Sequence, residues 1–311
     1  MNDLKVLAPA SNLLEIKQQL NEGADEIYIG YIDNTWQKKY HRLNAAVISP
    51  NRRENRAYNF STWNDIEEAV KVVHSAGKKI SFALNSHYYS YDSLKYLKEL
   101  IKKIEDLYFD YVIIEDPFLI DFFSLSKNNQ LKINLSGDTM VLNTYGVKWF
   151  HKKGVSRITL PQCVTLSEIR SITKNNPFMD FEVFILNGRC IFNSGTCFCV
   201  HGFQHYDGER LPPICSNLAN KDNYYQTWFK DRITHTTCGI CAIPYFAQIP
   251  NISTLKIVGR DISSSNKVSL TQFLKSALSS SSNIYKKLYC ETFGNENATC
   301  DNNCNCIYHN C

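Results

Sequence analysis

Short apolar runs alternate with helical patterns along most of the chain. The apolar runs cover residues 5–10, 26–30, 79–85, 111–115, 132–135, 157–160, 181–186 and 255–258. Between two of them, Leu94, Leu97, Ile101 and Ile104 recur at the three- and four-residue spacing of one buried helical face. The pattern therefore predicts strands that are followed by helices.

Helices are predicted over residues 12–21, 62–75, 91–107, 144–153, 165–174 and 270–278, and a short one begins at Pro117. Thr165 and Glu168 have the spacing of a capping box, which marks a helix start. Strands that are apolar throughout and separated by helices belong to a parallel sheet covered on both faces. Seven strand–helix steps precede residue 190. The predicted fold class is therefore α/β, a closed TIM-like (β/α)8 barrel.

The alternation breaks after the seventh strand, and it resumes only near residue 250. A segment of about 60 irregular residues inside a compact domain is usually functional, and this one follows a strand end on the side where barrel active sites lie. We predict a barrel domain over residues 1–278 that includes a cysteine-rich insertion at 188–250. A linker and a cysteine-rich tail are predicted over residues 279–311.

The insertion carries candidate metal ligands, namely Cys190, Cys197, Cys215, Cys238 and Cys241. Thiolates select zinc or iron–sulfur clusters over harder metals. Structural zinc sites tend to use two tight cysteine pairs, whereas here only Cys238 and Cys241 are close in sequence. The spacing favours a cluster, and the alternative for each cysteine is simple packing as a small apolar side chain.

Composition narrows the class of protein. The 311 residues are 44% apolar and 21% charged, which is ordinary for a globular protein. The net charge of +4 includes no basic block, so bulk electrostatics do not by themselves indicate nucleic acid binding. No leader sequence and no apolar run of about 18 residues is visible, so we expect a soluble cytoplasmic protein without membrane contact. Twelve cysteines in a reducing compartment then indicate metal binding rather than disulfides.

Polar residues stand where three of the predicted strands finish. Asn85, Glu115 and Asp138 follow the third, fourth and fifth strands. The carboxyl ends of barrel strands form the active face, so these residues are candidates for substrate binding. The alternative for each is a loop cap or a solvated carboxylate.

Several stretches in a fixed order resemble the peptidase U32 family. Glu182-Val-Phe184, Cys190 and Gly195-Thr-Cys197 resemble the family signature. Residues 7–12, 23–30 and 255–260 resemble its opening strand, its second strand and its late lysine and glycine–arginine motif. The resemblance covers roughly residues 4–278.

The resemblance implies a barrel fold and a four-iron four-sulfur (4Fe-4S) cluster held by four cysteines. Cys190, Cys197 and Cys215 match the first three ligand positions, and Cys238 or Cys241 matches the fourth. The matched motifs add Asn12, Lys256 and Arg260 to the candidate substrate-binding residues. Arg260 is expected to clamp a carboxylate or phosphate, or to form a structural salt bridge.

The resemblance also implies an activity. Most members with an understood role resemble oxygen-independent hydroxylases that modify RNA or isoprenoid-aromatic precursors, and a peptide substrate is the third class. We therefore expect an iron–sulfur-dependent hydroxylation. The alternatives are a U32-type peptidase and a non-catalytic, cluster-bearing partner that works with a related U32-family subunit.

The last 22 residues contain a second group of cysteines, namely Cys290, Cys300, Cys304, Cys306 and Cys311. Four thiolates, or three with His309, suit a second metal site. The alternative is a cysteine-rich tail that binds no metal. The sequence does not decide between them.

Overall fold

The alternation of strands and helices closes into a barrel. The computed structural model describes residues 3–33, 36, 49–53, 55–86, 89–124, 131–187, 238–293 and 306–308. Its strands are β1 (Lys5–Pro9), β2 (Glu26–Ile29), β3 (Lys79–Leu84), β4 (Tyr111–Ile114), β5 (Lys132–Leu135), β6 (Val155–Thr159), β7 (Asp180–Leu186) and β8 (Ile252–Ile257). Each strand pairs in parallel with the next, and β8 pairs with β1. The predicted (β/α)8 barrel is confirmed.

Helices cover the outside of the barrel. They are α1 (Leu13–Asn21), α2 (Trp63–Ser75), α3 (Leu94–Asp106), α4 (Pro117–Ser124), α5 (Thr144–Lys152), α6 (Leu166–Lys174), α7 (Ile243–Phe246), α8 (Ser264–Leu278) and α9 (Tyr285–Phe293). The predicted capping box is confirmed, since Thr165 and Glu168 bond reciprocally at the start of α6. No helix in the described part of the chain has the length and apolarity to cross a membrane.

Side chains alternate between the two faces of each strand. Val6 and Ile27 point outward, are fully buried and belong to the large apolar core between strands and helices. Leu7, Tyr28 and Ile113 point inward and form a separate small cluster inside the barrel. Burial of such side chains contributes about 1.5–3 kcal/mol each, so the outer layer supplies most of the stability.

The rest of the interior is largely polar. Its buried polar residues include Glu26, Ser81, Asn134, Arg157, Thr159, Glu182 and Lys256. At the amino-terminal end, Arg157 donates to Glu26 at 2.8 Å and to Asp180 at 3.0 Å. Buried polar groups are stable when they are hydrogen-bonded. This network therefore closes the bottom of the barrel in place of the usual layers of branched apolar side chains.

The described chain continues to pack against the barrel after residue 278. Tyr285 and Tyr289 of α9 are buried, and the rings of Phe273 and Tyr289 lie 6.1 Å apart. A helix therefore follows the predicted linker and adds to the core. The division at residue 278 stays a prediction.

Candidate functional site at the carboxyl ends of the strands

A segment after β2 lies across the carboxyl ends of the strands. Tyr31 and Phe60 form a parallel bridge, and Asn51 Nδ2 donates to the Tyr31 carbonyl at 2.8 Å. These contacts hold the described residues 49–53 over the barrel mouth. Arg52 within them has a φ of 65°, the left-handed region that a non-glycine residue seldom adopts.

Arg52 brings together two of the predicted site residues. Its Nη1 atom donates to Glu115 Oε2 at 3.0 Å and also pairs with Asp138. Glu115 is buried after β4, and Asp138 is partly exposed after β5. The guanidinium therefore joins two carboxylates that stand on neighbouring strands. Sequence analysis missed Arg52 because its segment has no strand or helix period, although two consecutive arginines at 52 and 53 are a visible signal.

Arg260 lies buried after β8 and faces neutral oxygens. Its guanidinium donates to Asn59 Oδ1 at 3.0 Å and to the Asn51 carbonyl at 2.9 Å. Burial lowers the pKa of Arg260 to about 10. A Cβ atom on Gly30 would lie 1.6 Å from Arg260 Nη1, so the arginine needs glycine there. In the described structure Arg260 therefore holds the segment that carries Arg52, and its expected contact with a carboxylate or phosphate stays a prediction.

Lys256 lies below this rim, inside the barrel. Its Nζ atom donates to Glu182 Oε1 at 2.8 Å and lies 5.2 Å from the centre of the Tyr28 ring. Burial raises the pKa of Glu182, but the charges of Lys256 and Arg157 outweigh burial, and the pKa falls below its ordinary value. The interior thus holds a charged pair directly under the mouth.

The two asparagines that were predicted to bind substrate have different environments. Asn12 is the N-cap of α1, where its side chain accepts from the Glu15 amide at 2.9 Å. Asn85 follows β3, and its buried Oδ1 atom has no hydrogen-bond partner among the described residues. A buried acceptor without a donor is unfavourable. Asn85 therefore offers an acceptor for a donor group of a ligand, whereas Asn12 already has a structural partner.

Two of the predicted metal ligands lie within the described residues. Cys238 forms an antiparallel bridge with Leu186 at the end of β7, and the Gly239 amide donates to the Ile185 carbonyl at 2.7 Å. Cys241 lies in the helical turn Ile240–Ala242. Burial raises the pKa of Tyr285 in α9, and the electrostatic interaction with Cys241 adds to the rise.

Cys190, Cys197 and Cys215 lie outside the described residues. Within the described ranges no three side chains of metal-ligand type converge. A half-buried thiol at the strand end suits a thiolate ligand, so the position of Cys238 fits the expected group.

Two of the five tail cysteines lie within the described residues. Cys290 lies in α9, and Cys306 forms a parallel bridge with Cys238. Cys300, Cys304 and Cys311 lie outside the described residues, and so does His309. The structure therefore brings one tail cysteine to the barrel end, next to a predicted metal ligand.

The fold and the site define a (β/α)8-barrel protein whose charged side chains and thiols gather at the carboxyl ends of the strands. A sequence model of peptidase family U32 matches residues 11–293. The chain belongs to this family.

Two curated relatives and one solved structure place the chain further. The tRNA hydroxylation protein P of Helicobacter pylori is 29% identical over 197 residues, which are 63% of this chain and 42% of that protein. The uncharacterized protease MJ0090 of Methanocaldococcus jannaschii is 25% identical over 289 residues, or 89% of this chain and 65% of that protein. The chain therefore spans only part of either relative.

The structure of the U32 peptidase Mk0906 has a TM-score of 0.50 and 12% sequence identity, and the match covers 83% of this chain and 94% of that one. At this identity the likeness shows the fold alone.

Proposed function

We propose that this chain is an iron–sulfur-dependent enzyme, or one subunit of it, that hydroxylates RNA without molecular oxygen. The observation that supports the proposal is the family match over residues 11–293 together with a relative named for tRNA hydroxylation. Transfer RNA is accordingly the first substrate to test. The proposal places the protein in the cytoplasm with its substrate.

The rim of the barrel supplies groups suited to an RNA base. Proteins recognise unstacked bases through hydrogen bonds to their edges. Asn85 Oδ1 offers an acceptor, and the partly exposed Asp138 carboxylate offers another. Arg52 fixes the Asp138 carboxylate relative to Glu115. We propose that these residues orient the base, while Lys256 and Glu182 form the charged floor beneath it.

The proposed cofactor is a 4Fe-4S cluster bound by Cys190, Cys197, Cys215 and Cys238, with Cys241 as the alternative to Cys238. Iron–sulfur clusters are held by cysteine thiolates, and a cluster would supply one-electron transfer when bound. The backbone pairing of Cys238 with Leu186 supports Cys238, because it fixes this residue at the end of β7.

Hydroxylation without molecular oxygen needs another oxygen source. With water, the balance is R–H + H2O → R–OH + 2 H⁺ + 2 e⁻, and the electrons leave to an external one-electron carrier. With an organic hydroxyl compound, the balance is R–H + R′–OH → R–OH + R′–H, and no net electrons are released. Both routes fit the proposal, and labelled water distinguishes them.

The test is an anaerobic reaction of the iron-loaded chain with unmodified transfer RNA, supplied with a one-electron acceptor in one series and with organic hydroxyl donors in another, followed by mass spectrometry of the nucleosides. We expect a nucleoside that has gained one oxygen atom. Cys238→Ser should abolish this product and lower the iron content, whereas Cys290→Ser, a change at a half-buried cysteine in α9, should preserve both. A wild-type protein that binds no iron contradicts the proposal, and so does RNA that stays unmodified both with this chain alone and with a related U32-family subunit added.

A U32-type peptidase is the second candidate, because one relative carries the name of a protease. Peptide cleavage that persists after iron removal, with no change to RNA, would favour it. The third candidate is a non-catalytic partner of a related U32-family subunit. Hydroxylation that appears only when such a subunit is added would favour this role.

A further inference from the structure

The tail segment Cys306–Tyr308 is docked on the carboxyl end of β7. Cys306 bridges to Cys238, and the Ile307 amide donates to the Cys238 carbonyl at 2.9 Å. Tyr308 is buried, and its hydroxyl donates to the Phe184 carbonyl at 2.9 Å. The segment therefore pairs with the backbone beside the proposed metal ligand.

The docking depends on specific side chains. The Tyr308 ring meets the Phe246 ring edge-on at 5.2 Å. A Cβ atom on Gly239 would lie 3.0 Å from two carbon atoms of the same ring, so the glycine leaves the room that Tyr308 occupies. These contacts fix the register in which the backbone of Cys306 pairs with that of Cys238, and the Cys306 Sγ atom donates to the Tyr308 carbonyl at 3.1 Å.

That register places the two cysteine residues side by side on paired backbone segments. Paired residues of adjacent parallel strands project to the same face, and the strands are about 4.7–4.9 Å apart. Disulfides join residues whose Cα atoms are about 4.4–6.8 Å apart. Both cysteines are half-buried, so a small reagent can reach them.

We propose that Cys238 and Cys306 are a redox-active thiol pair whose closure into a disulfide withdraws Cys238 from metal binding. The oxidant is a small-molecule disulfide, and the exchange is Cys238–SH + Cys306–SH + RS–SR → Cys238–S–S–Cys306 + 2 RSH. One thiolate attacks RS–SR and releases the first RSH; the second thiolate then displaces the second. The two protein thiols are oxidised, the reagent is reduced, and both protons leave on RSH. Both cysteines are partly exposed, and exposed disulfides are typically the labile, regulatory ones.

The effect on metal binding rests on the proposed function, whereas the thiol pair does not. A closed disulfide removes the Cys238 thiolate as a ligand, so oxidised protein is expected to load poorly with iron. Reduction restores the thiol. The tail would thus link the redox state of the surroundings to assembly of the centre, and Cys306 would act at the barrel rather than in a separate tail metal site.

The test treats metal-free, full-length protein with oxidised glutathione, traps remaining thiols by alkylation, and maps cysteine peptides by mass spectrometry. We expect a peptide pair joined through Cys238 and Cys306 that dithiothreitol separates. Ferrous iron is then added without a reductant and without sulfide, because sulfide itself reduces disulfides. The fraction of oxidised wild-type protein that carries the cross-link and no bound glutathione should bind several-fold less iron than reduced wild type. Reduced Cys306→Ser should match reduced wild type, and Cys290→Ser should behave like the wild type in both states.

Cys306→Ala, checked for unchanged thermal unfolding, repeats the comparison without a hydroxyl at the site. Two results would overturn the proposal of a Cys238–Cys306 thiol pair. One is glutathione bound separately to each of the two cysteines, and the other is a cross-link of Cys238 to other cysteines instead of Cys306. Equal iron uptake by cross-linked and reduced wild-type protein would overturn its effect on metal binding. If the cross-link forms but reduced wild-type protein binds no iron, the proposed cofactor fails while the thiol pair stands.

Discussion

Glu182 is the buried carboxylate that links the charged groups inside the barrel. It accepts from Lys256 at 2.8 Å, from Thr159 at 2.8 Å and from Asn134 at 2.9 Å. Burial alone would favour its protonated form, yet the neighbouring cations lower its pKa overall. The carboxylate is therefore charged at neutral pH, and its partners depend on that charge.

This lowered pKa predicts a dependence of stability on pH. The carboxylate of Glu182 contributes fully above the ordinary value of 4.5. As the pH falls below that value, the unfolded chain takes up the proton first, and the contribution is lost as the pH passes through the lowered folded-state pKa. We expect Glu182→Gln to lose about 3–5 kcal/mol of unfolding free energy at neutral pH, because Lys256 and Arg157 lose a buried partner.

Urea unfolding at neutral and acidic pH measures this difference. The difference in unfolding free energy between wild type and Glu182→Gln should become smaller at acidic pH. Glu67→Gln is the control, since it removes an exposed partner of Lys71 and should leave the unfolding free energy nearly unchanged. A gap of constant size across the pH range would contradict the prediction.

Some of the candidate site residues can be predicted from the sequence, and Arg52 cannot, for a physical reason. Glu115 stands directly after β4 and Asp138 three positions after the end of β5, and parallel strands bring their carboxyl ends together. Arg52 has no such anchor, because its position depends on a left-handed backbone conformation and on contacts with distant residues. The partner of the two carboxylates therefore becomes visible only in the folded chain.

The N-cap of helix α1 is a residue that the family resemblance assigned to substrate binding. Asn12 caps α1 through the Glu15 amide, and Glu15 in turn accepts from Lys267 of α8 at 2.9 Å. The start of α1 is thus connected to the last helix of the barrel.

Capping makes a testable prediction for Asn12. Asn12→Ala should lower the unfolding free energy by about 1 kcal/mol, whereas Asn12→Asp should retain it, because aspartate caps as well as asparagine does. Chemical denaturation measures both values. An aspartate variant with wild-type stability but altered substrate affinity would show a binding role beyond the cap, and an alanine variant of full stability would contradict the capping role.

Helix α9 was harder to predict from the sequence than the strands of the barrel. It has nine residues, and isolated helices shorter than about 12 residues are marginal in water. Its stability depends on the aromatic contacts of Phe273 with Tyr289 and Phe293. The local sequence of α9 does not predict such contacts, whereas each of the eight strands is predicted by its own apolar run.

The closed barrel could be predicted because the same strand–helix pattern repeats along the sequence. The docking of the tail segment Cys306–Tyr308 could not be predicted. Tyr308 stands in an asparagine-rich stretch without periodicity, and its partner Phe184 is 124 positions away. A single aromatic residue of this kind gives no signal in the sequence. The tail contact is therefore a finding of the structure.

Tyr308→Phe removes the hydroxyl that bonds to Phe184 and keeps the ring. We expect a loss of about 1 kcal/mol in stability and faster proteolytic cleavage of the tail. Tyr245→Phe is the matched control, because it removes a hydroxyl bonded to the Leu166 carbonyl and leaves the tail contacts in place. Limited proteolysis followed by mass spectrometry compares the three proteins, and equal cleavage rates in all of them would contradict the docking.

The docked tail also has a practical consequence for handling the protein. Tyr308 is fixed beside Phe184 near the carboxyl end of β7, so a fluorescent label attached next to it would report on events at the barrel mouth. Lys5 begins β1 at the opposite end of the barrel, so a label attached there would serve as the reference that such events leave unchanged.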